Sequence, residues 1–212
     1  MKRIVLTVFL MFFAVALLPA QQNVNQEIRV KKIDVDLNQA PRYTIQGSAP
    51  QADPTAKWLI VVAELESTPE WADEVTVRFY VVANYGANAK GDYVPADKFD
   101  VLACSVTVVN MQKNFPPTGK KNFVPVFMDA NTVKKYGASS KTQFIPEVAV
   151  QVMYKGKVQD TKWMQDEKKS GRFWEAKQVR GGILLNLLQS PWFPAYAEFY
   201  EQVKPSSSAP VQ

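Results

Sequence analysis

A chain of 212 residues with 47% apolar and 21% charged residues sits near the globular average, away from disordered and collagenous compositions, and fits one domain able to bury its own core. Taking Lys2 and Arg3 away with an N-terminal leader leaves 23 basic against 20 acidic residues, a net +3 in scattered lysine pairs, which argues against a nucleic-acid partner. The absence of histidine and the single cysteine remove the commonest general base, the commonest metal ligand and any intramolecular disulfide.

The chain opens as a processing signal. Lys2 and Arg3 form a positive start, Ile4 to Leu18 an apolar run of 15 residues, and Ala20 a small residue before Gln21. A membrane-spanning helix needs about 20 apolar residues, so residues 1–20 read as a cleaved signal peptide and no stable membrane insertion is expected after its removal. No cysteine follows the leader to carry a lipid, and the run lacks the acidic residue of a type IV pilin.

Residues 21–56 read as an N-terminal strand and a loop. In QEIRVKKIDVDL, Ile28 and Val30 share one parity while Ile33, Val35 and Leu37 share the other, so the phase slips at Lys31-Lys32, as at a bulge or where a strand switches sheets. Residues 38–56, rich in Gln, Pro and Ala, form the loop. The segment 57–204 then reads as the sandwich domain with its C-terminal segment.

KWLIVVAELES is apolar on both faces in its centre, as in an interior strand. Asp73-Glu74 read as a turn into EVTVRFYVVA, where Val75, Val77, Phe79 and Val81 line one face. A long loop over 84–97 leads to VLACSVTVVN, in which Leu102, Cys104, Val106 and Val108 share a face, so Cys104 reads as a buried thiol, with a reactive or intermolecular role as the alternative. Pro125 in NFVPVFM argues for an edge or bulged strand. DANTVKKYG carries an N-cap at Asp129, Lys134 and Lys135 in the last turn and Gly137 beyond, the pattern of a two-turn helix. PEVAVQVMY aligns Val148, Val150, Val152 and Tyr154, and Lys155-Gly156 turns it into KVQDTKW as a hairpin. GGILLNLL closes the series.

The end of the chain is aromatic. From Pro191, the residues Trp192, Tyr196, Phe199 and Val203 recur at i, i+4, i+7 and i+11, one stripe of a helix with prolines in its first turn. That helix either covers its own sandwich or docks a partner, and Trp192, Phe193, Tyr196 and Tyr200 are the candidate partner-binding residues. Residues 205–212, PSSSAPVQ, read as a disordered tail.

About eight short strands with turn chemistry between them predict an all-β chain, a single immunoglobulin-like β-sandwich with one short inserted helix and a C-terminal aromatic helical segment. A small barrel is the runner-up. No catalytic, metal or cofactor site is expected. The carboxylate pairs Glu64/Glu66, Asp73/Glu74 and Asp166/Glu167 read as strand or turn surface, and Gly181-Gly182 is too short for a phosphate loop.

Trp58 opening an apolar strand, EWADEVTVRFYVV, LACSVTVVNMQKN, FVPVFMDANTVKKYG, VAVQVMYKGKV and GILLNLLQSPWFPAYAEFY follow in an order that resembles small secreted immunoglobulin-like proteins encoded in type IV pilus gene clusters of Verrucomicrobia-type bacteria. The likeness covers most of residues 57–200. It implies a non-enzymatic exported protein of the periplasm, outer membrane or cell surface. Protein partners in the envelope, pilus assembly components among them, and self-association are what it implies for contacts. The alternative reading is an adhesin-like module that binds glycan or a host surface.

The leader carries its own test. Mature protein is expected to start at Gln21 and to fractionate with soluble periplasm or medium; N-terminal sequencing that returned Met1, or membrane retention resistant to high salt, would contradict it.

Overall fold

The computed structural model describes residues 26–39, 41, 56–84, 99–113, 122–136, 147–164, 173–176, 178–192 and 204. Nine strands run through them: β1 (Ile28–Gln39), β2 (Lys57–Ser67), β3 (Trp71–Asn84), β4 (Phe99–Gln112), β5 (Asn122–Met128), β6 (Glu147–Tyr154), β7 (Lys157–Trp163), β8 (Val179–Gly181) and β9 (Leu184–Asn186). Helix α1 (Ala130–Lys135) joins β5 to β6, and a single turn, α2 (Phe173–Ala176), precedes β8.

Alternation along the strands sorts them into two layers. Sheet A has the order β1-β2-β5-β9 and sheet B the order β7-β6-β3-β4-β8. Strands β1-β2-β5 facing β7-β6-β3-β4 reproduce the Greek-key arrangement of an immunoglobulin sandwich with an added strand beside the third. Between the layers lie Leu59, Val61 and Ala63 of β2, Val75, Val77, Phe79 and Val81 of β3, Leu102 and Val106 of β4, Val124 and Val126 of β5, and Val148, Val150 and Val152 of β6. β-branched side chains dominate because they fit a pleated surface at little cost in rotamer freedom.

The phase slip is a bulge. Val30 pairs with Leu65 and Lys32 with Glu64, leaving Lys31 as the extra residue. β7 carries a second bulge, where Asp160 pairs with Val152 and Val158 with Met153. The two bulged edges meet. Asp160 Oδ2 accepts from Val30 N at 2.8 Å, Gln159 Oε1 accepts from Glu27 N at 3.0 Å, and Lys162 Nζ donates to the Lys31 carbonyl at 2.9 Å. Open sandwich edges present unpaired backbone, and here side chains of one edge take up three backbone groups of the other around the bulge.

Local signals hold in detail. Lys155 and Gly156 have φ of 52° and 73° in the hairpin between β6 and β7, the paired left-handed residues of a two-residue turn that matches strand twist. Asp129 accepts from the backbone of Asn131 and Thr132 as the N-cap of α1; Gly137 lies outside the described residues.

Three expectations need correction. Pro125 is not on an edge strand, because β5 lies between β2 and β9. The β9 ladder nevertheless stops at Val126, opposite Asn186, so the missing N–H of Pro125 falls on the half of β5 that β9 does not reach. Asp73 and Glu74 belong to β3, which begins at Trp71 rather than in a turn. GGILLNLL is not one strand: β8 pairs parallel with β4 in sheet B, Gly182 turns at φ 79°, and β9 pairs antiparallel with β5 in sheet A.

Cys104 is half-buried against the core, and burial pushes its thiol up to about 12. At pH 8 it is therefore expected to resist thiol reagents in the folded chain and to react on unfolding. Cys104→Ser is expected to cost about 1–3 kcal/mol for a poorly paired buried hydroxyl. Fast labelling of folded protein, or an unchanged denaturant midpoint, would show a reactive, loosely packed thiol instead.

Candidate functional site: the outer face of sheet A

Sheet A carries apolar side chains on both faces. Its inner residues enter the core, while the outward positions Trp58, Ile60 and Val62 on β2, Phe127 on β5 and Leu185 on β9 form a second cluster with Leu187 and Trp192. Ile60 and Phe127 in this outer layer are fully buried, and Trp58, Val62, Leu185 and Trp192 are half-buried.

A short capped turn places Trp192 there. Leu187–Gln189 form a 3-10 turn directly after β9. Asn186 Oδ1 accepts from Gln189 N and Gln189 Oε1 accepts from Asn186 N, each at 3.1 Å, a reciprocal cap that stops the strand. Ser190 Oγ donates to the Leu187 carbonyl at 3.0 Å and accepts from Trp192 N at 3.3 Å. The chain thus folds back over the outer face, and the Trp192 indole stacks on Phe127 at 6.1 Å and 14°. Parallel offset rings at this spacing add to area burial.

Polar groups border the patch on one side. Across β1, Asp34 stands opposite Val62, Asp36 opposite Ile60 and Asn38 opposite Trp58. Lys32 pairs with Asp34 at 2.6 Å, while Asn38 Nδ2 donates to Asp36 at 3.4 Å. The face is an apolar strip with an acidic margin.

Of the four residues singled out in the aromatic segment, Trp192 sits on the molecule's own sheet; Phe193, Tyr196 and Tyr200 lie outside the described residues, as does the body of the expected helix. The far flank of that segment is tied down too, since Lys204 N donates to the Thr107 carbonyl at 3.0 Å and its ammonium pairs with Glu74.

Glu64 and Glu66 have structural partners, as Glu74 does in Lys204, while Asp166 and Glu167 lie outside the described residues. Arg29 Nε lies 2.9 Å from Glu66, and this hydrogen bond holds the Glu66 carboxyl below its usual range. Lys31 lies 3.4 Å from buried Glu64. Among the described residues no group of three or more His, Cys, Asp or Glu side chains is placed to hold a metal ion.

Sequence reading passed over Trp71, which is 58% exposed. Asn110, which the ladder skips between Val109–Glu74 and Met111–Ala72, takes φ 53°, and the inward positions change parity across it, from Val75 to Ala72 on β3 and from Val108 to Met111 on β4. The strict alternation of the strand would have turned Trp71 inward. A left-handed Asn inside a strand was the available signal, visible only once the register is known.

A protein-family model matches residues 19–207. The chain belongs to that family. A crystal structure of a protein from Akkermansia muciniphila aligns with a TM-score of 0.64 at 19% sequence identity, over 85% of this chain and 95% of that one, a likeness of fold. No curated protein matches the chain.

Trp192→Ala is expected to cost about 2 kcal/mol, because it strips a half-buried ring from Phe127 and Leu187. Chemical denaturation checks this; an unchanged midpoint would show that the indole adds nothing to the fold and leave it to a partner.

Proposed function

We propose that the chain is a non-enzymatic interaction module of a type IV pilus or secretion assembly, exported to the periplasm, the outer membrane or the cell surface. The observation that carries this reading is the outer face of sheet A, where a sandwich with a complete core of its own holds a second apolar layer around Trp58, Val62, Leu185 and Trp192. Apolar strips with a charged margin are the common form of protein contact sites. The acidic margin at Asp34 and Asp36 favours a partner whose apolar contact is flanked by basic side chains. Family membership and the leader of residues 1–20 support the place of action, and the absence of histidine supports a binding role over catalysis.

The test is capture from the native cell envelope with tagged mature protein, alongside Trp58→Ala and Asp36→Lys variants that melt normally. Pilus secretin or assembly components are expected in the wild-type capture and are expected to fall at least about fivefold with either variant, a loss of about 1 kcal/mol at the contact. Capture of none of these components, or equal capture by both variants, would overturn the reading.

A further inference from the structure

Sheet B also has an outer face, and its rows read across the strands in register. One row runs Ala103, Tyr80, Ala149 and Trp163. The small side chain of Ala149 leaves a slot between two large rings, and Trp174 of α2 fills it, stacked on Tyr80 at 4.9 Å and 13° and tilted on Trp163 at 5.8 Å and 31°. The three rings form a wall across the strands. Tyr80 is buried, while Trp163 and Trp174 are half-buried.

The next row is polar throughout: Ser105, Arg78, Gln151 and Thr161. Gln151 Nε2 donates to Thr161 Oγ1 at 3.5 Å. Arg78 stands on the central strand and has no counter-ion or hydrogen bond among the described residues, and its Nε is shielded from solvent without a partner. The row after that places Thr76 beside Thr107 and Met153. Acidic residues on the strands of this face stand two rows away on either side, and Glu175 follows Trp174 on α2. Glu147 lies opposite Val82, and Glu74 is engaged by Lys204.

A guanidinium on a central strand, half covered and without a carboxylate among the described residues, is placed to take its counter-charge from a ligand. Its planar fork matches a carboxylate, and as the one cation in these rows among the described residues it is too little for a nucleic-acid backbone. Around it, hydroxyl and amide groups can both donate and accept, as a polyol requires. The aromatic wall beside them offers the apolar flank against which a sugar ring's C–H groups pack.

We infer that this face of sheet B binds a carboxylate-bearing sugar, with Arg78 on the carboxylate, Ser105, Gln151 and Thr161 on the hydroxyls, and the Trp163–Trp174 wall against the ring. The site lies on the opposite layer from the strip on sheet A and holds whether or not that strip docks a partner.

Titration of the mature chain with tetragalacturonate and with a glucuronate-containing hyaluronan tetrasaccharide, followed by calorimetry and tryptophan fluorescence, tests this. Binding of at least one is expected, with a fluorescence change, and is expected to weaken at least about tenfold when its carboxylates are methyl-esterified, the value of a charge-assisted pair. Arg78→Gln is expected to weaken binding as much as esterification does. Arg78→Lys keeps the charge, loses the fork and gives an intermediate loss, which secures the result should the glutamine variant melt early. No binding of either sugar, equal binding of acid and ester, unchanged affinity in both variants, or acetate binding as tightly as the oligosaccharides would each overturn the assignment.

Discussion

The alternation of side chains along β3 governs this molecule. One parity, Val75, Val77, Phe79 and Val81, fills the space between the sheets; the other, Thr76, Arg78, Tyr80 and Val82, builds the outer face of sheet B. A slip of one residue would exchange the two sets and put Arg78 into an apolar core. The core is valine-rich, with no disulfide to pin the layers, so register rests on packing and on the paired neighbours β4 and β6.

Each layer carries an apolar cluster on its outer side in addition to the core on its inner one. Each outer cluster is topped by a tryptophan from the late part of the chain, Trp174 over Tyr80 and Trp192 over Phe127. A plain two-layer sandwich exposes polar residues outward; this one is closer to four layers, with short helical turns supplying the outermost. The second of those turns is fixed locally, by the reciprocal Asn186–Gln189 cap.

Most of the strands were legible in sequence because period-two alternation is a local property. The bulge at Lys31, the Lys155-Gly156 hairpin and the Asp129 cap were equally legible, since each has a chemical signature within four residues. What escaped was set by distant contacts. Strands of three residues, β8 and β9, are too short to show a repeated alternation, and only the partners β4 and β5 define them. Pro125 misled because the rule against interior proline concerns one hydrogen bond, and β9 ends one residue short of it. The aromatic tail drew attention to Trp192, but its seat on Phe127 spans 65 residues of sequence and left no local trace. Arg78 was one more cation in a strand until register set Ser105 and Gln151 beside it.

The strands β8 and β9 close opposite layers on the same side of the sandwich, and both come after every strand they complete. A chain made from its N-terminus has β4 and β5 in place with bare backbone edges until its final residues arrive. During that interval each edge is a template for any extended segment nearby, another copy's included. Gly182 is the hinge on which the timing turns, since a single left-handed residue sends the chain from one layer to the other and covers part of both edges in one passage. A chain cut short before that point would be an unfinished sheet that seeks a strand from elsewhere.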